Sequence, residues 1–429
     1  MSTEAPNDPP LSSLDYTELA QRVMRRCDEL AEFTEEPGRV TRRYLCEPMR
    51  GVHKLLRGWM RAAGLDTRID SAGNLVARKR ARGDARVLVI GSHLDSVPGG
   101  GKYDGVLGVM IGLALAESLS SSQLPFHLDL VGFSEEEGVR FNKPYLGSAA
   151  MAGWFRKEWL DRKDTTGVVM RDAVETFGLD PEKFGEAAYR PDEVIGYLEP
   201  HLEQGPVLER CGSPVGVVTG VVGQSRLRLA FEGEAGHAGT TPMEGRHDAL
   251  VCAAEFVRVV RALATLEENK SGDLRATVGK LKVVPNAPNV IPQRVEFSLD
   301  VRHPDDGHRE ATIERALAAG RMIGEQEGCK FDVIENTPET AVAVDDRLSG
   351  LLTEAVHEQG LEPIRLPSGA GHDAVAMARR FPVAMLFLRH PGGVSHHPDE
   401  RVDAADVAVA VEVLERFLVR LAEKVSAEP

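Results

Sequence analysis

The stretch Val87-Leu-Val-Ile-Gly-Ser-His93-Leu-Asp95-Ser-Val-Pro-Gly-Gly-Gly-Lys-Tyr-Asp104-Gly105 decides the fold. A small-residue segment follows it, and then Leu128-Asp-Leu-Val-Gly-Phe133-Ser-Glu135-Glu136-Glu137-Gly138. Residues 87–90 and 128–133 are short apolar runs, the pattern of strands buried on both faces of a parallel sheet. Between them residues 106–118 read as a helix, with Gly105, Gly108 and Gly112 spaced to let it pack closely on that sheet. Such a strand-helix-strand unit delivers His93, Asp95, Asp104 and the glutamates 135–137 to the carboxyl ends of its strands, where open α/β sheets bind ligands. One imidazole and several carboxylates converging in a glycine-rich loop read as a metal site. A lone histidine after a strand would be an ordinary loop or core residue, and a glutamate run alone an ordinary helix start. Their coincidence, with Asp104 between them, favours the metal.

Downstream, Ile195-Gly-Tyr-Leu-Glu-Pro-His201-Leu-Glu-Gln204-Gly-Pro repeats the grammar of a strand ending in a histidine. His372, in Leu366-Pro-Ser-Gly-Ala-Gly-His-Asp-Ala, and His396, in Gly393-Val-Ser-His-His-Pro, also lie on loops after strand-like runs. Upstream, amphipathic helices are expected over residues 14–33 and 49–63. Paired strands over 66–78 turn at Ser71-Ala-Gly-Asn74, and the first ten residues read as a disordered tail. Residues 154–191 read as mostly helical.

At residue 215 the periodicity changes. Residues 215–222 and 226–231 alternate as antiparallel strands, followed by a glycine-rich loop around His237 and a helix over 246–263. Strands over 276–283 and 295–302, a helix over 307–326 and a strand over 330–335 complete a β-α-β-β-α-β order, that of a ferredoxin-like domain. The expected architecture is therefore a discontinuous α/β domain, residues 1–214 and 336–429, with a mixed, mostly parallel sheet flanked by helices. An α+β domain over residues 215–335 interrupts it.

The 429 residues carry a formal net charge of −15, which argues against nucleic acid or an anionic membrane surface as partner. A local arginine can still hold an anionic substrate. The five cysteines are scattered and odd in number, as expected of reduced thiols in a cytoplasmic protein. The amino terminus lacks the basic and apolar regions of a secretory signal, and no apolar run is long enough to span a bilayer.

From about Tyr44 to Leu421 the chain resembles the allantoate amidohydrolase and N-carbamoyl-L-amino acid hydrolase family of dinuclear metallohydrolases. These belong to the aminoacylase and metallo-carboxypeptidase superfamily. The motifs, in order, include Gly-Ser-His-Leu-Asp-Ser-Val, Gly-Lys-Tyr-Asp-Gly, Glu-Glu-Glu-Gly-Val-Arg-Phe, His-Leu-Glu-Gln-Gly-Pro-Val-Leu-Glu, Gly-His-Ala-Gly-Thr-Thr-Pro-Met, Pro-Asn-Val-Ile-Pro, Ser-Gly-Ala-Gly-His-Asp-Ala and Gly-Val-Ser-His.

The resemblance implies two divalent ions, zinc or manganese first and cobalt or nickel as alternatives. His93 and His201 would ligate one, Glu137 and His396 the other, and Asp104 would bridge them. Asp95 would fix the tautomer of His93 by accepting its ring N–H. Glu136 would be the general base. Three consecutive glutamates leave Glu135 as an alternative, and His397 is the alternative to His396. The inserted domain would act as lid and dimerisation domain of a homodimer. Asn289 and Arg302 would hold the substrate carboxylate, and His237 the oxyanion. Gln204 would lie near the ureido group, and His372 would touch substrate or brace its loop. The implied activity is hydrolysis of a ureido C–N bond in a small carboxylate-bearing substrate. Allantoate comes first, on Gly-Val-Arg-Phe and Leu-Gly-Ser-Ala-Ala-Met-Ala-Gly, with N-carbamoyl-L-amino acids and 3-ureidopropionate next. A dipeptidase or deacetylase is the further alternative, and a non-catalytic binding protein would lack a ligand or the base.

Overall fold

The computed structural model describes residues 15–120, 123–266 and 272–427; the tail expected over residues 1–10 lies outside them. The described chain forms two compact units, one reaching Thr219 and resuming at Val344–Leu366 and Gly371, the other made of Gly220–Ala343 and Pro367–Ala370.

In the first unit α1 (Tyr16–Ala31) starts at Asp15, whose carboxylate accepts from the amides of Thr17 and Glu18. Its stripe Leu19, Val23, Cys27 and Leu30 is buried. α2 (Glu47–Ala62) has a proline in its first turn. β1 (Asp66–Ile69) and β2 (Leu75–Lys79) pair antiparallel. β3 (Val87–His93), α3 (Val106–Ser118) and β4 (His127–Phe133) form the strand-helix-strand unit, with β3 and β4 parallel. α3 is apolar and buried all round because it lies inside the core, and Gly108 makes that possible: a Cβ there would come within 2.1 Å of the Pro200 carbonyl oxygen. Two short helices, α4 (Leu146–Met151) and α5 (Met170–Thr176), precede β5 (Val194–Leu202). Residues 154–191 are thus less helical than expected, because Gly153, Gly167 and Gly178 take positive φ and break the run. α6 (Val207–Cys211) starts on Glu203, whose carboxylate accepts from the amides of Val207 and Leu208. β6 (Val215–Val221) follows.

The second unit holds β7 (Gly223–Glu232), β8 (Gly236–His237), α7 (Ala249–Ala264), β9 (Arg275–Thr277), β10 (Leu281–Val284), β11 (Val290–Ile291), β12 (Arg294–His303), α8 (Asp306–Gln326), β13 (Lys330–Glu339) and β14 (Val342–Ala343). Its main sheet is antiparallel in the order β10-β12-β7-β13, with β9 also on β12. β12 alternates buried and half-buried residues along its length, so one face packs against α7 and α8 around Phe231, Phe256 and Phe297.

The chain returns through α9 (Asp346–Glu358), β15 (Arg365–Ser368), α10 (Asp373–Met377), β16 (Val383–Leu388) and α11 (Ala404–Ala427). The sheet of the first unit runs β1-β2-β4-β3-β5-β16-β6. Its four central strands, β4, β3, β5 and β16, are parallel, and helices flank them. The protein is thus a mixed α/β structure. β6, whose start the alternation assigns to the inserted segment, pairs with β16 through Val215, Gly216 and Val217. The run Val-Gly-Val-Val is buried on both faces, which is the signature of a core strand. All five cysteines are free. No described helix is long and apolar enough to cross a membrane.

Candidate metal centre

β3 and β5 lie side by side and parallel, so His93 and His201 emerge at the same sheet edge with ring centroids 5.7 Å apart. Each Nδ1 lies 3.0 Å from a backbone carbonyl, that of Asp95 for His93 and that of Leu202 for His201. An Nδ1–H donated to a carbonyl leaves the lone pair on Nε2. Both Nε2 atoms face Oδ1 of Asp104, at 3.7 and 3.3 Å. Asp104 Oδ2 is 3.3 Å from His396 Nε2, which in turn is 3.6 Å from Glu137 Oε1. Asp104 therefore stands between two donor groups, His93 with His201 and Glu137 with His396. Within each group, Asp104 included, the donor atoms lie within 4.8 Å of one another. Gly105 keeps the loop this close: its φ is +69°, and a Cβ would come within 2.5 Å of the His93 ring.

The three glutamates separate by what their carboxylates meet. Glu135, at φ +55°, is fully buried and accepts from the amides of Tyr44, Arg140 and Phe141 at 2.9–3.2 Å. Glu136 and Glu137 instead group with His93. Asp95 meets His93 through its backbone carbonyl; its carboxylate, 3.8 Å from the same nitrogen, accepts from the amides of Glu136 and Glu137 at 3.1 Å each. The support expected from the Asp95 side chain thus goes to the glutamate loop. Of the two adjacent histidines, His396 faces Asp104 and Glu137, whereas His397 turns to Asp399.

Electrostatics and hydrogen bonding fit a cation. Burial alone would raise Asp104, yet His201, His396 and His93 hold it well below the usual carboxylate range. Burial would likewise lower His93, but the neighbouring carboxylates of Asp104, Glu136 and Asp95 hold it well above. Burial pushes Glu136 far up and Glu137 to about 7, the latter helped by Asp104. So many buried carboxylates in one place call for positive charge, and divalent cations compete with protons for such donors. His201 Nε2 is buried without a hydrogen-bond partner, and ligation would satisfy it. Imidazole and carboxylate donors together suit a first-row divalent ion.

Gln204, at φ +56°, donates its amide to both oxygens of Asp104 at 3.1 Å and to Ser395 Oγ at 3.0 Å. His372 is buried against His201, ring centroids 4.4 Å apart, and burial holds it neutral. The remaining expected residues lie in the second unit. Val290 pairs with His237, and the Ala238 amide donates to the Asn289 carbonyl at 2.9 Å, so the β8–β11 ribbon sets His237 beside Asn289. Arg302, at the end of β12, grips both oxygens of Asp300 at 2.8 and 3.2 Å and donates to the Gly369 carbonyl at 2.9 Å.

Two buried acids escaped the sequence reading. Glu199 accepts from Ser92 Oγ at 3.3 Å and the Ala374 amide at 2.9 Å, and it groups with His201 and His372. Asp373 is fully buried beside His372. A glutamate two residues before His201 shares its strand face, and one carboxylate within so apolar a run was the available signal.

The model of peptidase family M20/M25/M40 matches residues 89–420. An N-carbamoyl-L-amino acid amidohydrolase of Geobacillus stearothermophilus is 37% identical over 94% of this chain and 98% of its own length. An allantoate deiminase of Arabidopsis thaliana is 35% identical over 93% of this chain and 82% of its own. Among solved structures, an amidase of the hydantoinase/carbamoylase family from Burkholderia multivorans superposes with a TM-score of 0.86 at 32% identity, covering 94% of this chain and 98% of that one. Over most of its length the chain follows proteins that hydrolyse C–N bonds, and it belongs to peptidase family M20/M25/M40, among the hydantoinase/carbamoylase amidohydrolases.

Proposed function

We propose that the protein is a dinuclear metal-dependent amidohydrolase that cleaves a ureido C–N bond in a small carboxylate-bearing substrate. The observation that carries this reading is the position of Asp104 between His93 with His201 and Glu137 with His396. These five side chains would hold two divalent ions, zinc or manganese first. Such ions lower the pKa of water and polarise the scissile carbonyl. Glu136 takes the proton of the attacking water and passes it to the leaving nitrogen. Its burial and its place beside His93 support that role, as does the engagement of Glu135 with backbone amides. Asn289 and Arg302 bind the substrate carboxylate, Arg302 with a planar fork suited to it. His237 steadies the oxyanion, and Gln204 addresses the ureido group once its amide leaves Asp104. Exposed Leu250, Val251 and Val257 on α7 support a homodimer formed through the second unit, which serves as lid.

Allantoate is the first substrate, on Gly138-Val-Arg-Phe and Leu146-Gly-Ser-Ala-Ala-Met-Ala-Gly. The 37% identity to an N-carbamoyl-L-amino acid amidohydrolase favours that substrate class as the second reading. The test is ammonia release from allantoate, several N-carbamoyl-L-amino acids and 3-ureidopropionate, after chelation and readdition of zinc or manganese. Metal-restored turnover of one of these is expected. Turnover of dipeptides or acetylated amino acids, with none of the ureido compounds, would overturn the reading.

A further inference from the structure

In a chain of net charge −15, one helix face is strongly basic. Arg50, Lys54, Arg57 and Arg61 follow one another along α2 at spacings of four, three and four residues, which places them on a single stripe. They line a cavity of about 390 Å³ in the first unit, with His53 from the same helix and Phe177 on the wall. No metal donor described above takes part in it.

His53 is the unusual member. It is 3% exposed, its ring meets the edge of Phe177 at 5.9 Å, and neither ring nitrogen has a hydrogen-bond partner. A neutral imidazole has one donor and one acceptor, and buried polar groups are seldom left unsatisfied. Arg57 Nε is likewise buried without a partner. Arg50 is already braced, donating to the Thr176 carbonyl at 2.9 Å and lying over Phe177 at 4.2 Å. The charges acting on His53 come from Arg57, Arg42 and Arg50; with burial ahead of them, they push its imidazole down to about 4.

We infer that this cavity is a binding site for a small phosphate-bearing anion, held by the cationic stripe of α2, with His53 and Phe177 forming its inner wall. Multiple N–H donors around a compact anion are what phosphate recognition requires. The volume also fits a monoester whose apolar part rests on Phe177. The inference stands apart from the metal-centre reading.

The test is calorimetric titration of the protein with inorganic phosphate and with phenyl phosphate. It is run on the native chain, Arg57→Gln, the double variant Lys54→Gln with Arg61→Gln and His53→Phe, each metal-loaded, and on Asp104→Ala as the metal-free control. Expected is binding that weakens tenfold or more in the α2 variants and persists in Asp104→Ala. Tighter binding of phenyl phosphate than of phosphate assigns an ester as ligand, and the reverse assigns the free ion. Affinity unchanged in the α2 variants, or lost only in Asp104→Ala, overturns the site. Should the buried His53→Phe fail to fold, the variants at the exposed Lys54 and Arg61 decide the matter.

Discussion

The side-chain amide of Gln204 donates to both carboxylate oxygens of Asp104, 3.1 Å from each. Those are the oxygens that would bridge two cations, so amide and metals compete for the same lone pairs. Gln204→Leu is therefore expected to keep or tighten metal binding. It should lower kcat/KM on ureido substrates about tenfold, the scale of one hydrogen bond to a polar substrate. Elemental analysis and steady-state kinetics on the same preparation check both halves, and loss of metal would put Gln204 among the supports of the centre.

Asp104→Ala should lose metal at both positions, because Asp104 belongs to both donor groups. His93→Ala should spare the pair Glu137 and His396 and keep about one ion per chain. Elemental analysis after dialysis distinguishes the two. Two ions still bound in Asp104→Ala would refute the bridge.

Glu136→Gln is expected to keep its metals and lose roughly 10²-fold or more in kcat, as removal of a general base does. Glu135→Gln should behave differently. Its carboxylate accepts three backbone amides in a left-handed turn, so the change should cost about 1–3 kcal/mol and appear as a lower Tm. A stable but inactive Glu135→Gln, beside an active Glu136→Gln, would exchange the two roles.

These contrasts mark how far the sequence could be read. Strand-end histidines and the glycines of α3 were legible because apolar runs and small residues are local signals, and α3 and β16 fall where the pattern puts them. Which neighbour each of three glutamates meets was not legible, since Tyr44, Arg140 and Phe141 reach Glu135 only through the tertiary fold. The alternation places the start of β6 in the inserted segment because its partner, β16, lies about 170 residues later and leaves no local signal. Glu199 stands as one carboxylate in an apolar run, a signal that marks it as buried but does not say that it reaches His201 and His372, which only the fold brings to it.

Acid should weaken the fold through His53. Its folded pKa, about 4, lies below the ordinary 6.5, so the unfolded chain binds the proton more readily. This contribution to stability is complete above pH 6.5 and is lost as pH falls toward 4. Between pH 7.5 and 5 the loss should be about 2 kcal/mol. Urea unfolding at the two pH values measures it, and His53→Phe should remove most of the difference. An unchanged difference would place the acid sensitivity elsewhere.

Arg302 is held by Asp300, which occupies both prongs of its guanidinium at 2.8 and 3.2 Å. If Arg302 binds the substrate carboxylate as proposed, that carboxylate competes with Asp300 for the guanidinium. Arg302→Ala is expected to raise KM strongly and to lower kcat as well, with metal content unchanged, since a carboxylate clamp at Arg302 would also align the scissile bond. Arg302→Lys should recover little, because a point charge cannot reproduce a two-pronged grip. Asp300→Asn should act in the opposite direction and lower KM by a few-fold, as the neutral amide competes less well for the guanidinium. Steady-state kinetics of the three variants on a carboxylate-bearing ureido substrate provide the check. A normal KM in Arg302→Ala for every such substrate would remove Arg302 from the binding site, and the Asp300 pair would then be no more than a strand-end ion pair.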